Sequence, residues 1–152
     1  MTDAQVASDM EGHGQSLTIV NTRSHARKLF ERLRDAEGAV HLSTMMCTAH
    51  RRQRLAAIRQ RLKDGLPVCL VSTSLIEAGV DVDFCAVWRA MAGLDQIAQA
   101  AGRCNREGRF KPSRSIVTVF EPEHPEPRYM RTAADATREV LRHHDDPLLI
   151  SP

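Results

Sequence analysis

Residues 68–73 read Val-Cys-Leu-Val-Ser-Thr, and residues 85–89 read Cys-Ala-Val-Trp-Arg. Neither run alternates apolar with polar residues, so neither suits a sheet that turns one face to water. Short continuous apolar runs are what strands need when helices cover both faces. Working outward, Leu17–Asn21 (LTIVN) and Ser115–Phe120 (SIVTVF) are two further strands, and Val40–Thr44 is an ambiguous, alternating fifth. Between them the apolar spacing changes to the helical period. Ala26, Leu29, Phe30 and Leu33 follow Ser24 at an N-cap position, with Gly38 as the stop. Leu55, Ile58 and Leu62 follow Thr48 as a cap and end at Asp64-Gly65. A short helix from Ser74 to Ala78 closes at Gly79, and Asp95 caps a helix running from Gln96 toward Cys104. Strands alternating with helices predict an α/β, three-layer sandwich around a mostly parallel sheet with right-handed crossovers. In such sheets ligands collect at the carboxyl ends of the strands, which puts the loops after Val20, Thr73 and Arg89 on one functional edge.

The flanks read differently. Residues 1–15 are polar, hold two glycines and repeat at neither period, so a loose tail is expected before a domain spanning 16–120. Residues 121–127 (EPEHPEP) carry three prolines and read as a linker. In 128–152, Met130, Ala133, Ala134, Thr137, Val140 and Leu141 mark an amphipathic helix, followed by a tail. The chain has 152 residues, 42% of them hydrophobic, enough for one core. Its 21 basic and 19 acidic residues leave a net charge of +2, so any basic surface must be local. Arg51, Arg52, Arg54, Arg59, Arg61 and Lys63 crowd the second helix, where a charge run reads first as a solvated face. Trp88 and Phe84 read as core rather than as base-stacking platforms. The four cysteines form no Cys-x-x-Cys pair and read as free thiols of a reducing compartment. The first residues contain no apolar signal region, and no run approaches the ~20 apolar residues of a membrane span, so a cytoplasmic protein is expected. His50 with Cys47, and His143-His144, lack a second pair of ligands, so no metal site is assigned.

The chemistry concentrates in Gln99-Ala-Ala-Gly-Arg-Cys-Asn-Arg-Glu-Gly108. Arg103 and Arg106 stand three apart with Gln99 one turn earlier; on a continuing helix all three face one side. Gly102 removes a side chain beside them and leaves room for a backbone or a ligand. Two adjacent guanidiniums repel each other unless an anion accepts both. A polyphosphate does so in paired hydrogen bonds, and guanidiniums stabilise the charge that grows during phosphoryl transfer. The plainer alternative is that these arginines cap a helix end or face solvent.

VSTSLIEAGVDVDF from Val71, followed by VWRAMAGLDQIAQAAGRCNREGR from Val87, resembles motifs V and VI of superfamily 2 helicases, most of all, across Ser72 to Arg109, the helicase-nuclease of type I CRISPR systems. TIVNTRSHARKLFERL from Thr18 resembles motif IV, and the stretch from His41 is similar more weakly. The resemblance implies the C-terminal RecA-like half of an ATP-dependent helicase. It implies that Arg103 and Arg106 are arginine fingers for ATP bound mainly by an N-terminal RecA-like domain, which also holds Mg, and that Gln99 lies near the same phosphates. Gly79 and Asp81 resemble the motif V pair, with the aspartate near the ATP ribose or coupling the ATP and nucleic-acid sites. Asn21, Thr22, Ser72 and Thr73 resemble donors to a nucleic-acid backbone, single-stranded DNA by family likeness, although backbone contacts carry little that separates DNA from RNA. A CRISPR surveillance complex is an implied partner. Plainer readings stand beside these: Thr73 and Ser74 as helix caps, Asp81 as a turn residue.

No glycine is followed by lysine, so a Gly-x-x-x-x-Gly-Lys-Ser/Thr phosphate loop is absent, and the sole Asp-Asp pair, Asp145-Asp146, precedes Pro147. The family's nuclease ligands are missing as well. A non-catalytic nucleic-acid or protein-binding module is therefore the alternative to half of a motor. A third possibility, an unrelated doubly wound nucleotide-binding domain, needs a glycine-rich loop where the chain has Asn21-Thr-Arg-Ser-His25. On the leading reading the arginine pair faces a nucleotide at the sheet's carboxyl edge.

Overall fold

A computed structural model describes residues 1–42, 46–74, 81–111, 115–124 and 126–143. Its elements run α1 (Asp3–His13), β1 (Gln15–Ile19), α2 (Arg23–Leu33), β2 (Ala39–Leu42), α3 (Thr48–Lys63), β3 (Val68–Ser72), β4 (Ala86–Ala90), α4 (Leu94–Ala101), β5 (Ile116–Phe120) and α5 (Arg128–His143). The strands form one parallel sheet in the order β2-β3-β1-β4-β5. This is the expected α/β sandwich. The helix expected over 74–78, its stop at Gly79, and the end of the run at Ser43-Thr44 fall, from residues 75 and 43 on, outside the described residues.

Every residue of β3 and β4 is buried, as their unbroken apolar runs require. Alternate side chains feed two cores. Leu17, Ile19, Leu70 and Val87 meet Leu55, Ile58 and Leu62 of α3 and Ala100 of α4 on one face. Val71, Ala86 and Trp88 meet Val6 and Met10 of α1 and Leu29 and Leu33 of α2 on the other. Phe84 and Trp88 are buried in these cores.

The expected loose tail at 1–15 is instead a packed helix. A capping box joins Thr2 and Gln5 at the N-terminus of α1. Val6 and Met10 are fully buried, Ser16 Oγ donates to the Met10 carbonyl at 3.0 Å, and Asp3 pairs with His25 of α2 at 2.8 Å. The apolar face of α1 is only three residues wide, too narrow to stand out by periodicity.

Three caps also move. Thr22, not Ser24, caps α2 by accepting the His25 N–H at 3.1 Å. Thr48 is the first residue of α3, whose N-cap Cys47 makes no side-chain bond. Gly93 rather than Asp95 caps α4. At the far end of α3, Gly65 (φ +71°) and Leu66 close a Schellman turn through the Leu66 N–H to Arg61 carbonyl bond of 2.9 Å.

Gly38 does not end α2, which stops at Leu33; it leads into β2 at φ +75°. There its carbonyl accepts the Cys69 N–H, and a Cβ would lie 2.0 Å from the Pro67 carbonyl oxygen. Gly38→Ala is therefore expected to cost about 2–5 kcal/mol, the sum of left-handed backbone strain and a clash with rigid main chain. Gly65→Ala, with open space around it, should lose only the strain, about 1–2 kcal/mol. Urea midpoints of the two variants measure the difference; equal losses would remove the clash from the argument.

Residues 121–124, 126 and 127 lie in neither helix nor strand, and α5 folds back onto the domain. Ala134 joins Met91 and Ile97 in a small core, and Arg138 bonds Glu121 and Glu126. That bond is the main reason the Glu126 carboxyl is held below its ordinary pKa. Among the described residues no helix is long and apolar enough to cross a membrane.

Candidate functional site: an arginine turn and the opposite edge

The helix bearing Gln99 does not continue through the arginines. It ends at Ala101, and Gly102, Arg103 and Cys104 tighten into turns by donating to the carbonyls of Ala98, Ala100 and Ala101. Cys104 then pairs with Phe84 as an isolated parallel bridge, flanked by bonds from Phe84 N–H to the Arg103 carbonyl and from Asn105 N–H to the Phe84 carbonyl. Asn105 takes φ +50°, a conformation asparagine tolerates better than most side chains. Its amide closes the following loop, bonding both the N–H and the carbonyl of Phe110 at 2.8 and 2.9 Å. The three side chains of the expected helical stripe are thus split between the last turn of a helix and a pinned loop.

That loop lies at the amino end of β4, because α4 runs back antiparallel to the strand it follows. The expectation that the arginines sit at the carboxyl edge is wrong for this reason. The edge rule concerns ligands held by the sheet's own loops.

Two aspartates organise the turn. Asp83 is 4% exposed; its Oδ1 accepts the Arg106 N–H at 2.8 Å, its Oδ2 lies 3.4 Å from the Glu107 nitrogen, and Arg109 Nε is 3.5 Å away. Asp81, two residues earlier and exposed, accepts Arg106 Nη1 at 2.6 Å, while its backbone carbonyl accepts Arg59 Nε at 2.9 Å. The Arg106–Asp81 pair is more than half open to solvent, so it is worth only about 0–1 kcal/mol and exchanges readily for a stronger anion. Beside it a cavity of about 330 Å³ is lined by Arg59, Lys63, Asp81, Asp83, Glu107 and Arg109. Cys104, under the turn, has its thiol pushed up to about 11 by burial, with Cys85 and Asp83 adding to it, and so stays neutral.

Gly102 is a C-cap at φ −63°, where a Cβ would make only ordinary contacts; its place demands no close approach. Gln99 is exposed and Arg103 half-buried. Gly79 lies outside the described residues. Sequence reasoning missed Asp83 and Asn105. An Asp-x-Asp spacing before an apolar strand was the available signal, since alternate residues of an extended segment face opposite ways.

The four nucleic-acid candidates gather at the opposite, carboxyl edge. Ser72 is fully buried and its hydroxyl donates to the Thr73 carbonyl at 3.1 Å; Thr73 is 7% exposed. The Thr22 hydroxyl is taken by its own helix cap. The Asn21 carboxamide accepts from Arg89 Nη1 at 2.7 Å and donates to the Met91 carbonyl at 2.8 Å. Arg89, fully buried at the end of β4, is the other residue that sequence reasoning passed over. The basic charges of α3 divide between the two edges: Arg51, Arg52 and Arg54 at its start, Arg59, Arg61 and Lys63 at its end.

The profile of the family described as CRISPR-associated nuclease/helicase Cas3, C-terminal, matches residues 12–109. A CRISPR-associated nuclease/helicase Cas3 from Haloferax volcanii is 45% identical over 65 residues, 41% of this chain and 7% of the relative. One from Methanothermobacter thermautotrophicus is 26% identical over 137 residues, 88% of this chain and 16% of the relative. The chain therefore spans a small part of the length of these relatives. The crystal structure of T. fusca Cas3 with ADP superposes at a TM-score of 0.77 and 19% identity, over 94% of this chain and 20% of that one. The C-terminal domain of the DEAD-box protein Dbp5 superposes at 0.59 and 16% identity, over 94% and 80%. At such identities the two structures show a shared fold.

Proposed function

The chain belongs to the family of C-terminal domains of CRISPR-associated Cas3 nuclease/helicases, and from that premise we propose that it supplies the arginines of an ATP-driven motor on single-stranded DNA. The observation that carries this reading is the half-open Arg106–Asp81 pair on a turn pinned by buried Asp83. A γ-phosphate, with more charge and more acceptor oxygens than a carboxylate, displaces Asp81 from Arg106 when an N-terminal RecA-like domain presents Mg and ATP to the amino edge. Arg103 is the second guanidinium of that site, Gln99 and Gly102 flank the phosphates, and Asp81 lies on the nucleotide side; Gly79 keeps its motif V assignment from the resemblance alone. Released from Arg106, Asp81 is free to report nucleotide occupancy to Arg59 and α3.

At the other edge Asn21, Thr22, Ser72 and Thr73 frame the strand site. Much of their side-chain capacity is committed internally, so backbone amides at the start of α2 supply the donors to phosphate, which suits binding that tolerates any sequence. Closure of the cleft on ATP then moves this edge along the strand. A CRISPR surveillance complex is the proposed macromolecular partner and the cytoplasm the proposed compartment.

The chain alone lacks a phosphate loop and should show negligible ATP turnover. Turnover should appear when it is joined to an N-terminal RecA-like domain of a Cas3 relative. A malachite-green assay tests both arms, and substantial arginine-dependent hydrolysis by the chain alone would overturn the division of labour. The missing phosphate loop also favours a second reading, a binding module without catalysis. It predicts salt-sensitive oligonucleotide binding with no turnover in either arrangement.

A further inference from the structure

The strands β1 and β4 are neighbours whose following helices leave to opposite faces: α2 packs with the core that contains Trp88, α4 with the core that contains Val87. This is the topological switch point of the sheet, where a doubly wound domain opens a crevice at its carboxyl edge and binds its ligand. Here backbone pairing between the two strands ends at Ile19↔Arg89. Beyond that point the Arg89 side chain, fully buried, donates Nη1 to Asn21 Oδ1 at 2.7 Å, to the Ala90 carbonyl at 2.7 Å and to the Ile19 carbonyl at 3.4 Å. Asn21 completes the bridge by donating Nδ2 to the Met91 carbonyl at 2.8 Å. The carboxamide has one orientation that satisfies both neighbours, oxygen to the guanidinium and nitrogen to the carbonyl.

We infer that Arg89 is a positioning residue that fills the switch-point crevice and, through Asn21, locks the β1–α2 loop to the β4–α4 loop so that the strand-binding edge moves as one piece. The inference rests on the reading of the carboxyl edge as the strand site. Neighbouring bonds continue the tie across the sheet: Val20 N–H to the Ser72 carbonyl at 3.0 Å on one side, Met91 N–H to the Phe120 carbonyl at 2.8 Å on the other. At the β1–β4 step side chains carry the connection between the two diverging loops. Arginine suits it because its charge persists at every working pH and its Nη1 amino group serves several acceptors at once. Filling the crevice also accounts for a domain of this topology that offers its arginines to a nucleotide from the opposite edge.

The test uses the 152-residue chain, its Asn21→Ala and Arg89→Lys variants, and a fluorescein-labelled oligothymidylate. Asn21→Ala removes a half-buried side chain and leaves the core intact, so it carries the test even if Arg89→Lys unfolds. Amide exchange is expected to quicken in both loops, around 20–26 and around 91–97, although only one loop is altered. Oligonucleotide affinity should fall about tenfold or more, the effect of losing one to two well-made hydrogen bonds. The slope of log affinity against log salt should stay unchanged, because neither substitution removes a charge. Exchange that quickens in the substituted loop alone overturns the tie. Exchange that quickens in both loops with affinity unchanged overturns the positioning role and leaves the strand-site reading standing. Affinity that falls while exchange in both loops stays unchanged makes Asn21 a direct ligand and also overturns it. Absence of binding by the unaltered chain overturns the strand-site reading and the positioning role together.

Discussion

ATP turnover by this chain joined to an N-terminal RecA-like domain is expected to fall by about a hundredfold or more when Arg106 is replaced by alanine, the usual consequence of removing one oriented transition-state contact. Affinity for a single strand measured without nucleotide should change by less than about twofold, because a substitution more than about 10 Å away with no shared partner leaves that edge's contacts intact. The five residues of β4 separate the two edges by about 16 Å at the rise of an extended strand. Folding stability should also hold, since the pair that is lost is more than half exposed. Arg106→Lys keeps the charge but offers one donor point where guanidinium offers a fork, and should recover little of the rate. Initial-rate kinetics and oligonucleotide anisotropy on the same preparations give the comparison. Unchanged turnover in both Arg103→Ala and Arg106→Ala would remove the arginine assignment.

Asp83→Ala attacks the same function from underneath. The carboxylate touches no ligand in the proposed mechanism; it accepts the Arg106 amide and holds Glu107 and Arg109 nearby. Its removal leaves a part-buried amide without its acceptor, at about 1 kcal/mol of stability. The arginine turn then drifts, and a displacement of about 1 Å in a positioned group lowers a rate on the order of a hundredfold. The variant should therefore lose both melting temperature and kcat, whereas Arg106→Ala loses kcat alone. Asp83→Asn retains Oδ1 as an acceptor for Arg106 and should recover most of the stability. If Asp83→Ala melts early but turns over normally, the turn does not depend on its carboxylate and the positioning argument fails.

Much of the fold was legible because two of its strands are buried on both faces. A stretch such as Val68–Ser72 has no polar side to show, and continuous apolar character is a one-dimensional signal. The helix starts were less legible, because the residue that captures the first free amides depends on how the chain enters the helix: Thr22 was as good a cap as Ser24, and tertiary context chose it. The first helix escaped notice for a related reason. Met10 looks incidental in a polar segment until Ser16 and Thr18 of β1 are seen to bond its carbonyl and its sulfur.

The site divides along the same line. That Arg103 and Arg106 stand three apart, and that hydroxyl and amide side chains follow β1 and β3, is read from residue type and spacing, which are local properties. Their placement on opposite edges of the sheet does not. It arises because α4 must return along β4 to reach β5, delivering its last residues to the amino edge, where Phe84 and Asp83 receive them. The burial of Arg89 between two loops almost seventy residues apart is likewise invisible to spacing. Local sequence set which groups are present; packing of distant segments, through burial and hydrogen bonds that only close in three dimensions, set which of them reach an open edge and which hold the others in place.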